Sequence, residues 1–135
     1  EQEFYFIFIK NLGGMRVNML YENLPIYKAA LDFCVYIEQI VRSFEKYHKY
    51  TIGEELRRYS KEILFGIHRA NKSRDKKEPL EALRDKCEET KMLIALAKEL
   101  KAFGGFAQFE HSSKLIVGIC KQAQSWLNSS AGVAR

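Results

Sequence analysis

The sequence predicts an all-α fold, an antiparallel up-down-up-down four-helix bundle. Apolar residues recur at three- and four-residue steps in four long segments, and short polar or glycine-containing connections separate these segments. Only 2 prolines and 8 glycines interrupt 135 residues, of which 47% are hydrophobic and 29% charged, as in ordinary globular domains. We divide the chain into an N-terminal extension, residues 1–20, and a bundle domain, residues 21–135, that ends in a short flexible tail.

The first twenty residues differ in composition from the rest. Residues 3–10 read EFYFIFIK, and Asn-Leu-Gly-Gly follows at 11–14. The aromatic and β-branched content of this run favours an extended strand. It is too short for the apolar region of a secretory signal with a basic flank. We expect an extension outside the bundle, and the alternative is an edge strand or arm docked on a neighbouring subunit.

The first two helices follow from periodicity and end signals. Pro25 suits the first turn of a helix, and the apolar residues from Ile26 to Phe44 predict a first helix of about 24 residues. Thr51 and Glu54 form a capping-box pattern at the start of the second helix, after a connection at 48–50. The second helix places its apolar residues on one face, at positions 52, 56, 59, 63, 67 and 70.

The third and fourth helices are predicted in the same way. After a charged connection at 71–78, Pro79 opens the third helix, whose apolar positions are 80, 83, 87, 90, 94, 97 and 100. The glycines at 104–105 end it. The fourth helix runs from about Phe106 to Asn128 before the flexible tail.

Motifs for catalysis, metal binding and cofactors are absent from the sequence. It contains no glycine-rich phosphate loop, no HExxH and no ExxH pairs of the di-iron bundles. The three cysteines, Cys34, Cys87 and Cys120, form no CxxC pair, and we expect them to be buried apolar residues in a reducing, cytoplasmic protein. The histidines, His48, His68 and His111, lack ligand spacing. We therefore expect no catalytic residue, metal or cofactor, and no membrane span.

One enzyme-like pattern remains as an alternative. Arg42 and His48 have the Arg-polar-x4-His spacing of HEPN-type ribonucleases, which are also helical bundles. In such a site the arginine and histidine would act on the phosphate and transfer protons during RNA cleavage. The pattern is permissive, and it falls at the end of the first helix rather than deep in the bundle.

Basic residues form a stripe on the second helix. At 100° per residue, Arg58, Lys61, Arg69 and Lys72 fall within about 80° of one another, opposite the apolar face. The stripe continues into Arg74, Lys76 and Lys77, and residues 51–78 contain eight basic and five acidic side chains. Such a stripe suits the phosphate backbone of RNA or DNA, and the alternative is a solvated face laced with ion pairs.

Phe65 lies within the same stripe. A monomeric bundle has little reason to direct a phenylalanine outward among arginines and lysines. We expect Phe65 to contact another subunit in a homo-oligomer, and the alternative is a stacking surface for a base.

Several segments together carry a family resemblance. The most specific segment is 50–58, Tyr-Thr-Ile-Gly-Glu-Glu-Leu-Arg-Arg, and residues 27–30, 44–47, 93–100 and Trp126 add to it. With these segments the chain resembles one family of four-helix bundles, that of the 23S rRNA intervening-sequence proteins and the accessory variability determinants (Avd) of diversity-generating retroelements. The intervening-sequence branch usually ends its second helix in an Asn-Ile-Ala-Glu-Gly type motif. Here residues 66–71 read Gly-Ile-His-Arg-Ala-Asn, which favours the Avd branch.

The resemblance implies a non-enzymatic accessory protein. Proteins of this kind assemble as homopentameric barrels with a positively charged surface, and they associate with the reverse transcriptase and template RNA of the retroelement in mutagenic cDNA synthesis and retrohoming. Carried over, Arg57, Arg58 and Lys61 would belong to that surface. The alternative within the family is a structural homo-oligomer of the intervening-sequence type without a nucleic-acid role.

Overall fold

The computed structural model describes residues 21–133, which form an all-α four-helix bundle as the sequence predicts. The helices are α1 (Pro25–Arg42), α2 (Ile52–Lys72), α3 (Lys77–Glu99) and α4 (Phe106–Val133). A short 3₁₀ turn, Tyr21–Asn23, precedes α1, and a one-turn helix, Lys46–Tyr50, joins α1 to α2. Each long helix packs against its neighbours in sequence, and α1 also packs against α4. The strand predicted at 3–10 lies outside the described residues.

The apolar stripes of the four helices form one core. Nearly all the stripe positions predicted from the sequence are buried, among them Phe33, Leu56, Ile63, Ile94 and Ile116. Burial of such side chains is the main favourable term in folding. The prediction for Leu100 is wrong, because α3 ends at Glu99 and the Leu100 side chain is 45% exposed.

The first helix is shorter than the sequence predicts. It ends at Arg42, where the Ser43 hydroxyl donates a hydrogen bond to the Ile40 carbonyl over 2.7 Å. This local bond competes with continuation of the helix. Phe44 is nevertheless buried, with its ring edge-on to that of Phe103 at 5.8 Å. The predicted helix of about 24 residues is therefore two elements, α1 and the one-turn helix, and the one-turn helix buries none of its side chains.

The capping box predicted for α2 does not form. The Thr51 hydroxyl donates a hydrogen bond backward, to the Tyr47 carbonyl at 2.7 Å, and makes no bond to an α2 amide. The Glu54 carboxylate accepts from Arg57 instead, at 2.6 Å. The one-turn helix, which the sequence pattern did not reveal, supplies the competing carbonyl.

The ends of α3 and α4 also differ from the prediction. The α3 helix begins at Lys77, two residues before Pro79, and ends before the glycine pair at 104–105. Its end is a Schellman motif, in which Lys101 adopts φ 59° and the Ala102 amide donates to the Ala97 carbonyl. The α4 helix continues to Val133, past the end predicted from the sequence. Over residues 21–133, every helix is too short or too polar to cross a membrane.

Gly53, in the first turn of α2, packs closely against the end of α1 and the one-turn helix. A Cβ atom at Gly53 would lie 2.8 Å from Val41 Cγ1 and 2.9 Å from the His48 carbonyl oxygen. Gly118, also helical, has open space where its Cβ would be. The two glycines therefore differ in what an added methyl group would meet.

We expect Gly53→Ala to lower the free energy of unfolding by about 1–2 kcal/mol, because the overlap outweighs the higher helix propensity of alanine. Gly118→Ala is the control and should raise it by up to about 1 kcal/mol. Urea denaturation followed by circular dichroism measures both. If the two substitutions changed the free energy of unfolding by the same amount, the close approach at Gly53 would be contradicted.

Candidate nucleic-acid interface

The outward side of α2 and the connection after it present cations to solvent. The side chains are exposed, and within residues 21–133 no carboxylate lies within 4.0 Å of their charged atoms. The apolar stripe of α2, with Leu56, Ile63 and Ile67 fully buried, fixes the rotation of the helix and so directs the basic residues outward. We call this set the basic face, and its members are Lys61, Arg69, Lys72, Arg74 and Lys77.

Arg57 is largely buried between α2 and α1 and does not belong to the basic face. Its side chain is 18% exposed, and its Nη1 binds Glu54 Oε1 at 2.6 Å. Its Nε lies 3.2 Å from Glu38 Oε2 on α1, an ion pair whose angle is outside hydrogen-bond geometry. The guanidinium is thus engaged by two carboxylates and links α2 to α1.

Arg58 is exposed, but it is part of a cluster of interacting side chains between α2 and α3. Its Nη1 lies 3.4 Å from Glu62 Oε1, and Lys86 Nζ binds Glu62 Oε2 at 2.9 Å. Both cations approach the Tyr59 ring, Arg58 at 5.0 Å and Lys86 at 4.2 Å from its centroid. The hydrogen bond from Lys86 holds the pKa of Glu62 below its ordinary value. Arg58 therefore adds positive charge to this side of α2, but its guanidinium is already engaged by Glu62 and Tyr59.

Lys76 caps α2. Its Nζ donates to the carbonyls of Ala70, Asn71 and Ser73 over 2.8 to 3.0 Å, and these carbonyls belong to the unpaired C-terminal end of the helix. Burial lowers the pKa of Lys76 from its ordinary value, and the three carbonyls stabilise its charged form. All three ammonium protons are used within the fold, so Lys76 has no free proton to donate to a phosphate, the role predicted for it from the sequence.

Phe65 lies on the outward side of α2, as the sequence predicts, with its side chain 54% exposed. Lys61 and Arg69 are its neighbours one turn before and one turn after. Its contact with another subunit stays a prediction.

An acidic face on α3 is the feature that the sequence reasoning missed. At 100° per residue its carboxylates fall within about 100° of one another, and all the basic residues of α3 lie outside that arc. Met92, 63% exposed, and Leu96 are on the same arc. The predicted third helix, residues 79–102, has five acidic and five basic side chains, and this balance hid the face, which a helical wheel would have revealed. Its acidic members are Glu78, Glu81, Asp85, Glu88, Glu89 and Glu99.

A cleft of about 760 Å³ lies beside the end of the basic face. It separates the α2–α3 connection and the first turns of α3 from the last turns of α4. Both cations and apolar groups line it, as in many ligand sites. The lining residues are Arg74, Asp75, Lys76, Lys77, Glu81, Arg84, Gln124, Leu127, Asn128, Ser130 and Ala131.

The histidines and cysteines do not assemble a centre. Arg42 ends α1, whereas His48 belongs to the one-turn helix, so the ribonuclease-like spacing spans a helix break. Cys87 and Cys120 are buried as expected, and Cys34 is half-buried, with its thiol donating to the Ser60 carbonyl at 3.2 Å. Burial raises the pKa of Cys34. Between residues 21 and 133, no three His, Cys, Asp or Glu side chains are placed to hold a metal ion.

These features define an all-α four-helix-bundle protein whose distinguishing groups are surface charges. Residues 24–130 match the family model described as bAvd-like, and the chain therefore belongs to the bAvd-like family. This assignment confirms the Avd branch suggested by the resemblance, and the family is one of accessory proteins. No curated protein matches the chain.

We expect Lys76→Met to lower the free energy of unfolding by about 1–2 kcal/mol, because three carbonyls at the end of α2 lose a charged donor. For a chain of this size the melting temperature should fall by about 3–6 °C. Lys77→Met removes the same charge from an exposed side chain without a salt bridge, and should change the free energy by at most about 0.5 kcal/mol. Equal melting temperatures for the two variants would show that Lys76 does not cap the helix.

Proposed function

We propose that the protein is a non-enzymatic accessory factor of a diversity-generating retroelement. It acts in the cytoplasm as a homo-oligomer that binds the reverse transcriptase and holds RNA or cDNA by its phosphate backbone. The polymerase performs the chemistry of mutagenic cDNA synthesis, and the accessory protein positions the strand. Membership of the bAvd-like family supports the accessory role.

The nucleic-acid role rests on one observation, the five unpaired cations of the basic face. A lysine or arginine already engaged by a carboxylate must break that pair before it binds a phosphate. Lys72, Arg74 and Lys77 have no such pair within residues 21–133, so they can displace counterions from a strand directly. Contacts of this kind fix position without reading base sequence, which suits a template that must be copied whatever its sequence.

Assembly multiplies the charge of one subunit. The formal net charge of the chain is +5, so five copies, the number that the family resemblance implies, have a charge of about +25. Closely spaced basic faces attract a polyanion more strongly than one face does. The modest charge of a single chain is therefore compatible with tight binding by the oligomer.

The seam between subunits is centred on Phe65. We place it against Met92 and Leu96 of the neighbouring subunit, since all three side chains are large, apolar and about half or more exposed. Such a contact joins two different surfaces and closes into a ring when the rotation allows. The cations beside Phe65 then face the carboxylates beside Met92. Lys72, Arg74 and Lys77, at the far end of the basic face, remain available to the strand.

We expect single-stranded RNA to bind the protein about 20- to 100-fold more weakly at 200 mM than at 50 mM salt, the dependence for three to five phosphate contacts. Lys72→Glu combined with Arg74→Glu should lower affinity at least about tenfold at low salt and reduce the salt slope by about 1.4, because two contacts are lost. Fluorescence anisotropy across a salt series measures both quantities.

The matched control is Lys114→Glu with Lys121→Glu, which makes the same charge change at exposed positions of α4. If binding depends on the basic face, this control weakens it much less than the α2 variant. Equal effects would mean that only net charge matters. Absence of RNA binding at about 50 mM salt would favour the alternative, a structural homo-oligomer of the intervening-sequence type.

We expect Phe65→Asp to reduce the oligomer mass measured by light scattering, because a charge cannot be buried in an apolar seam without a partner. Phe106→Asp is the control, since Phe106 is also an exposed phenylalanine, at the start of α4. Circular dichroism should show unchanged helicity for both variants. An oligomer of unchanged mass with Phe65→Asp would refute the seam.

A further inference from the structure

The cleft beside the basic face combines two kinds of lining. Leu127 and the adjoining apolar surface of α4 form one side, and the α2–α3 connection forms the other. Arg74 and Lys77 belong both to the cleft and to the basic face. A strand bound along the basic face therefore passes the mouth of the cleft.

The charges of the cleft favour an anion. Four cationic side chains and two carboxylates line it. One carboxylate, Asp75, already accepts a hydrogen bond from the Lys77 amide at 3.2 Å. Arg84 binds Asp85 at 3.2 Å and lies at the cleft on the first turns of α3. The net positive lining suits a phosphate group at the mouth.

The amides of α4 suit the edge of a base. Gln124 Nε2 donates to Asn128 Oδ1 at 2.9 Å. This bond does not use the acceptor Gln124 Oε1 or the donor Asn128 Nδ2. The hydrogen-bonding edges of nucleic-acid bases present matching donors and acceptors.

We propose that the cleft binds one nucleotide of a strand held on the basic face. The base lies against Leu127 and meets Gln124 and Asn128, while the phosphate meets Arg74 and Lys77. The volume of about 760 Å³ is in the range of small-ligand sites and far exceeds what a bare phosphate needs. This subsite rests on the proposed nucleic-acid role and adds a contact to the base, which backbone binding alone does not include.

The test compares two strands with equal numbers of phosphates, a 12-nucleotide oligodeoxyadenylate and an abasic 12-mer. The full-length protein should bind the base-bearing strand about tenfold more tightly, the size of effect that one or two net hydrogen bonds to the base contribute. Gln124→Ala should reduce that preference to about twofold or less, because it removes an amide that meets the base and leaves the phosphate contacts unchanged. Gln122→Ala is the matched control, since Gln122 is also a half-buried amide on α4 and lies outside the cleft.

Each result separates the subsite from the proposed function. Equal affinities for the two strands would overturn the subsite and leave backbone binding intact. If Gln124→Ala and Gln122→Ala leave the preference equal, the base binds elsewhere and the subsite is also overturned. Failure of both strands to bind at low salt would contradict the nucleic-acid role itself.

A second measurement locates the base independently of affinity. A strand containing photoreactive 4-thiothymidine is cross-linked to the protein and the product digested with trypsin. Cleavage after Lys121 releases the peptide 122–135, which contains the α4 side of the cleft. The cross-link should map to residues 124–131 of that peptide. Cross-links confined to α2 or to other helices would contradict the subsite.

Discussion

Burial of one apolar stripe per helix is the constraint on which the rest of the structure depends. A helix that must turn its stripe inward has no freedom to rotate about its axis, so every other side chain receives a fixed direction. In α2 this rule directs Lys61, Phe65 and Arg69 outward, and in α3 it directs the acidic face outward. The surface chemistry is thus a by-product of core packing, and a charge placed one position away would fall on a different face.

The sequence was sufficient to predict the fold, the buried stripes and the exposure of Phe65, because all of these depend on periodicity. The helix ends were not predictable in this way. Ser43 and Thr51 donate to carbonyls three or four residues before them, and Lys101 adopts a left-handed conformation that a glycine would adopt more easily. The position of a helix end depends on competing local hydrogen bonds, and these do not alter the periodic pattern of apolar residues.

The predicted site residues separate for a similar reason. A helical wheel shows which lysines and arginines share a side of α2, but it cannot show what lies across the gap from them. Arg57 meets Glu38 only because α1 packs alongside, and Lys76 meets three carbonyls only because the chain turns back after Ser73. Within residues 21–133, tertiary structure therefore leaves five of the eight predicted residues without a carboxylate partner, makes Arg58 part of a cluster and uses Arg57 and Lys76 within the fold.

The two ends of the bundle differ in what they present. One end has the paired rings of Phe44 and Phe103 and the close approach at Gly53, and the other has the cleft of about 760 Å³ between α3 and α4. The subunit thus has a direction, from the end with the phenylalanine pair to the end with the cleft. Rotational symmetry keeps that direction the same in every copy, so a cyclic assembly of this chain has two chemically distinct rims. A strand that follows the rim with the clefts would meet one identical cleft per subunit, at a regular spacing.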